Sequence, residues 1–120
     1  MQEDLLCRFE SGSCWVLNLG AIDYLTALDL QNDLVRCRIE GQIADTLLLL
    51  EHHPVITLGA YRGEKSMLVS KEELARRGIS VVRTDRGGDI TYHGPGQLVV
   101  YPILGLKERG RDVHRYVAVL

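Results

Sequence analysis

Apolar and polar positions change period several times along this chain, and each change marks an element. Residues 7–10 and 15–19 read as short strands, parted by turn residues at Ser11, Gly12 and Ser13. Asp23 then offers a helix N-cap, and Tyr24, Ala27, Leu28, Leu34 and Val35 recur at helical spacing over residues 24–39, with Gly41 as the stop. Residues 46–50, a threonine and four leucines, form an apolar run that suits a strand covered on both faces. The chain turns over residues 51–54 and returns as a strand over 55–58. Ser70 with Glu73 forms a capping box for a short helix through Arg77, which Gly78 ends. Three more strands follow over residues 79–83, 89–92 and 98–104. Asp112 caps a final helical stretch whose apolar face is Val113, Tyr116, Val117 and Leu120, with no closing residue after it.

Many strand-like runs with only two complete helices do not suit a doubly wound parallel sheet, which needs a crossover helix between successive strands. The expected architecture is α/β of the α+β type: a mixed, largely antiparallel sheet flanked by helices. The open last helix reads as one interrupted domain over residues 1–120, its sheet exposing apolar surface that a longer chain would cover.

Composition narrows the function. At 120 residues and 46% hydrophobic content, the chain can bury a core and is not disordered. A net charge of −2 with scattered Lys and Arg gives no support to nucleic-acid binding. The acidic start, Met1-Gln2-Glu3-Asp4, is unlike a secretory leader, and no apolar run is long enough to span a bilayer. A cytoplasmic protein without membrane association is expected. Cys7, Cys14 and Cys37 form neither a C-x-x-C pair nor an even set, so they read as reduced structural thiols.

One stretch exceeds what folding requires. Residues 86–97 read Arg-Gly-Gly-Asp-Ile-Thr-Tyr-His-Gly-Pro-Gly-Gln. Gly94-Pro95-Gly96 is a tight turn, with Pro95 presetting φ and Gly96 free to take φ > 0, as a type II turn requires. Gly87 and Gly88 allow close approach of a ligand to the main chain. A hairpin needs only the turn, so the polar groups crowded before it mark a binding site.

That segment, continued by Leu98-Val99-Val100-Tyr101-Pro102, resembles the lipoyl(octanoyl) transferases. Residues 47–59, LLLLEHHPVITLG, are similar to the family's earlier strand–turn–strand, with His53 where a second proline is common. Asp23, Tyr24, Ala27, Leu28 and Gln31 suit its first helix. The resemblance implies a biotin/lipoate protein ligase-like fold, here C-terminally incomplete, because the family's domain is considerably longer. It implies transfer of octanoyl from acyl carrier protein to a lysine of a lipoyl domain, in a 2-oxoacid dehydrogenase complex or the glycine cleavage H protein. The family works through a cysteine acyl-enzyme whose thiol is activated by a lysine. No cysteine here follows a proline and precedes a glycine, and Lys65, Lys71 and Lys107 stand in other contexts. No catalytic role is therefore assigned within the chain, and the 120 residues alone are expected to be inactive. What carries over is the substrate strip: Arg86, Gly87, Gly88, Asp89, Ile90, Thr91, Tyr92 and His93.

The remaining candidates have plainer readings. His93 reads as a general base or, more simply, as a histidine bonded to the following turn. His52 and His53 are adjacent and face opposite sides of a strand, which disfavours a metal site. His114 follows a helix cap as an exposed residue, and Tyr92 and Tyr101 read as packed strand aromatics. No phosphate loop is present, and no metal or cofactor is called for. Two rivals stay open: an ATP-dependent lipoate or biotin ligase, and a non-catalytic acyl- or carrier-binding fragment or half of a split enzyme.

Overall fold

A computed structural model describes residues 5–9, 12–107 and 110–119. Its elements run β1 (Leu5–Phe9), β2 (Gly12–Ile22), α1 (Tyr24–Ile39), β3 (Asp45–His52), β4 (Val55–Leu58), a 3-10 turn (Gly63–Ser66), α2 (Lys71–Arg76), β5 (Ser80–Arg83), β6 (Ile90–His93), β7 (Val99–Ile103) and α3 (Val113–Val119). The mixed α/β class stands, but the strands form two sheets: a four-stranded one ordered β1-β2-β3-β7 and a three-stranded one ordered β5-β4-β6. The chain clusters into two compact units, residues 1–18, 28–49 and 100–120 in one and residues 19–27 and 50–99 in the other.

In the first unit, β1 and β2 pair antiparallel, Phe9 opposite Gly12. The expected turn at Ser11, Gly12 and Ser13 is thus too wide, since Gly12 and Ser13 already lie in β2; Ser11 itself, like Leu120, lies outside the described residues. Helix α1 ends at Gly41, whose φ of +73° is the left-handed geometry of a C-cap glycine. Its N–H reaches the Arg38 carbonyl at 3.2 Å while the Gln42 N–H reaches Cys37 at 2.9 Å, the bond pair of a Schellman motif. Strand β3 was expected to be covered on both faces. Instead Thr46 and Leu48 are buried while Leu47 and Leu49 are half-exposed, because successive strand residues face opposite sides and only one side is fully packed. At the start of β3 the buried Asp45 carboxylate accepts from Arg38 Nε and from the Gly105 N–H, both at 2.8 Å. Cys14, which is buried, and Cys37 form no disulfide. Asp112 caps α3 through the Arg115 N–H at 3.0 Å.

In the second unit, β4 is the central strand, parallel to β5 and antiparallel to β6. The parallel pair is possible because the 3-10 turn and α2 carry the chain back between its two strands. Ser70 Oγ accepts the Glu73 N–H at 3.2 Å, but the Glu73 carboxylate goes to Arg76 and Arg77, so half of the capping box forms. Gly78, with φ +71°, closes α2. Leu50, Val55, Leu58 and Leu74, with the smaller Ala27, are the buried apolar side chains here. Burial of each leucine or valine contributes about 1.5–3 kcal/mol, which holds this small sheet and α2 as a rigid base for the loops after β4 and β5.

Candidate functional site

The glycine bend after β5 is fastened to the end of β4 by main-chain bonds. The Thr84 N–H donates to Leu58 at 2.8 Å, the Ala60 N–H to Arg86 at 3.0 Å, and the Gly59 N–H to Asp89 at 2.5 Å. Gly88 takes φ +89°, a conformation that L side chains rarely adopt. Gly59 lies so close beneath the bend that an added Cβ would stand 2.2 Å from the Gly88 carbonyl oxygen. Glycine at position 59 is therefore a requirement of the bend. The sequence signal for it is slight, one Leu-Gly at the end of a strand.

Arg86 turns back onto β4. Its Nη2 donates to the Thr57 hydroxyl at 2.8 Å and to the Thr57 carbonyl at 3.0 Å, and its Nη1 to the Gly87 carbonyl at 2.9 Å. This guanidinium clamps the bend to the central strand. Asp89 does the same on the other flank, accepting the Ser66 hydroxyl at 2.5 Å. Its other carboxylate oxygen is buried without a hydrogen-bond partner among the described residues.

The strip then divides. Register pairs Ile90 with Leu58 and Tyr92 with Ile56, while Thr91 pairs with Thr57 and His93 with Val55. Paired residues share a face, so Ile90 and Tyr92 point to one side of the sheet and Thr91 and His93 to the other. On the Ile90–Tyr92 side, a pocket of about 310 Å³ is lined by Ile56, Met67, Leu68, Val69, Leu74 and the two strip residues, with Ser66 at its edge. On the other side, polar rings gather. His52 is 1% exposed and its Nδ1 lies 3.1 Å from the Ile22 carbonyl. A carbonyl only accepts, so Nδ1 carries the proton and the neutral ring keeps its lone pair on Nε2. The ring packs between Tyr24, at a centroid distance of 5.2 Å, and His93, edge-on at 6.0 Å. His53, its neighbour, is exposed.

Burial pushes the His52 pKa down, and the His93 and His53 rings push the same way against the raising effect of the Ile22 bond. Burial also raises the Tyr24 phenol, with Arg86 opposing and Asp85 reinforcing the rise. Titratable groups shifted by burial and gathered on one face are a mark of a functional site. Beyond β6, Gly96 takes φ +87° and the Gln97 N–H reaches the Gly94 carbonyl at 3.2 Å, so the expected type II turn forms. His93 Nδ1 meets Gln97 Oε1 across that turn at 2.5 Å, and Glu51 accepts the Gly96 N–H at 3.0 Å. That contact engages Nδ1 of His93 and not Nε2. Among the described residues no cluster of three or more His, Cys, Asp or Glu could hold a metal ion, and no helix is long and apolar enough to cross a membrane.

The family model for the lipoyl protein ligase A/B catalytic domain matches residues 23–120. An octanoyltransferase of Roseiflexus sp. is 52% identical over 102 residues, which are 85% of this chain and 42% of the relative. One of Chloroflexus aggregans is 55% identical over 85% of this chain and 46% of its own length. The chain therefore spans under half the length of these relatives. Among solved structures, P. falciparum LipL1 in complex with lipoate superposes with a TM-score of 0.53 at 19% identity, over 71% of this chain and 29% of that one, a likeness of fold.

Proposed function

This chain belongs to the lipoyl protein ligase A/B catalytic domain family, and from that premise we propose that its full-length protein is an octanoyltransferase of protein lipoylation. The single observation that carries this reading is the identity of 52% and 55% to proteins named octanoyltransferase. In the proposed reaction a cysteine thiolate attacks the carbonyl of octanoyl-acyl carrier protein, and the carrier's thiol leaves with a proton. The ε-amine of a lipoyl-domain lysine then attacks the acyl-enzyme, forming the amide and releasing the thiolate. The acceptor is a lipoyl domain of a 2-oxoacid dehydrogenase complex or the glycine cleavage H protein, and the setting is cytoplasmic.

Residues 86–93 serve this reaction as the wall that receives the acyl thioester. The bend at Gly87 and Gly88 presents main chain without side chains, and Arg86 and Asp89 are engaged in holding it, which suits a surface that binds by shape. The ring cluster of Tyr24, His52 and His93 supplies polar groups for the carbonyl end. Burying about six methylenes of the acyl tail at ~0.8 kcal/mol each gives ~5 kcal/mol, enough to make chain length the main selectivity term. In this reading the nucleophile lies outside these 120 residues: Cys14 is buried, its thiol directed at the Trp15 carbonyl at 3.6 Å, Cys37 sits in the last turn of α1, and none of Cys7, Cys14 and Cys37 has an activating lysine near it in sequence. Residues 1–120 form the N-terminal part of one catalytic domain.

The test is mass analysis of an apo-lipoyl domain incubated with the full-length protein and octanoyl-acyl carrier protein. Gain of one octanoyl group without ATP is the expected result. Gain only with free octanoate and ATP would replace the transferase by an adenylating ligase, and no gain with either would leave a binding fragment.

A further inference from the structure

The connection from β4 into β5 carries a surface that adjoins the acyl wall through Ile90 and Tyr92. Residues 60–83 hold Arg62, Lys65, Lys71, Arg76, Arg77 and Arg83 against Glu64, Glu72 and Glu73, a net +3 in a chain whose total is −2, so all other residues together carry −5. Internal pairing does not cancel this excess. The Glu64 carboxylate is shared by Lys71 at 2.5 Å and Arg83 at 3.1 Å, and Glu73 by Arg76 at 3.0 Å and Arg77 at 2.9 Å. Each triad keeps one positive charge. Between them in sequence lie Met67, Leu68 and Val69, which line the 310 Å³ pocket. Leu68 is 99% exposed and Tyr92 51%. An apolar recess in a segment with an excess of positive charge is a surface expected of a protein-interaction site, and the charge selects and steers a partner of opposite sign.

We propose that this face docks an acidic carrier protein, the donor of the octanoyl thioester, which seats an apolar side chain in the recess between Leu68, Leu74 and Tyr92. The inference rests on the transferase reading above. The donor is the assigned partner because β6 carries both features: Ile90 and Tyr92 line the recess, and the same strand leads directly from the glycine bend that receives the thioester. A recess of about 310 Å³ lies at the lower limit of small-ligand pockets, the size for one or two side chains.

The test compares two donors with the full-length protein: octanoyl-loaded acyl carrier protein and the small thioester octanoyl-pantetheine. Leu68→Asp and Lys65→Glu should each raise KM for the protein-borne donor about tenfold with kcat unchanged, and leave the small thioester within about twofold. Raising ionic strength should weaken the protein-borne donor alone. Equal loss with both donors would place the acyl tail in the recess and overturn the docking assignment. No loss with either would overturn it too, as would a change confined to KM for the acceptor domain. A dimer that Leu68→Asp dissociates in sedimentation would make the occupant a second copy. Titration with unloaded carrier protein needs no turnover, so it tests docking even where neither thioester is consumed: wild-type binding lost in both variants supports it, and absence of binding ends it.

Discussion

Replacing Gly59 by alanine is the sharpest perturbation of the proposed acyl wall. The added Cβ would stand 2.2 Å from the Gly88 carbonyl oxygen, 2.7 Å from its carbon and 2.8 Å from the Asp89 carbonyl oxygen. All three are main-chain atoms, so no rotamer change relieves the contact. Ordinary van der Waals contact lies near 3.5 Å, so the bend must retreat by about 1 Å. Overpacking of this kind costs about 1–3 kcal/mol. Retreat also stretches the Gly59–Asp89 bond, now 2.5 Å, whose loss adds about 1 kcal/mol. A displacement of ~1 Å at a positioning surface is enough to slow a reaction about 100-fold. Gly59→Ala in the full-length protein should therefore lower the urea midpoint by the equivalent of about 2–4 kcal/mol and cut octanoyl transfer about 100-fold. The two readouts separate the claims. A destabilised variant with wild-type kcat/KM would show that the bend's position is irrelevant to the acyl group. Wild-type stability would show that the close approach itself is misjudged.

Gly88→Val should abolish octanoyl transfer while sparing every reactive group, since valine must be forced to a φ of +89°; normal transfer by the variant would remove the bend from the acyl site. Thr57→Val keeps the shape but takes from Arg86 its hydroxyl acceptor at 2.8 Å, so urea unfolding should show a loss of about 1–3 kcal/mol, and an unchanged midpoint would mean that the clamp contributes nothing. The lowered pKa of His52 fixes a sign: the unfolded ring, with pKa near ~6.5, binds a proton that the folded ring resists, so stability is fully present above that value and falls as pH drops below it toward the folded pKa. Urea midpoints should decline from neutral to mildly acidic pH, and His52→Phe should flatten that decline; an equal decline in the variant would assign it to other groups.

What the sequence determined by itself was the local geometry. The bounds of α1, the stops at Gly41 and Gly78, the Ser70 cap and the type II turn at Pro95–Gly96 each depend on residues within one turn of one another. Their hydrogen bonds close over three to five positions, so the residue types at those positions suffice. The glycine strip was also legible, because its composition exceeds what a turn needs. Tertiary structure decided the rest, because the partners are distant along the chain. Two sheets formed where one was expected, since strand order follows from which apolar faces can be covered together. Thr57 captured Arg86 across 29 residues, an acceptor that no local pattern nominates. Gly59 became indispensable only when the bend folded over it. Alternation along β6 was visible as a period of two, yet it was the pairing with β4 that sent Ile90 and Tyr92 into an apolar recess and His93 against a buried histidine. A strand's period says that two faces exist; only the elements packed on each face give them different chemistry.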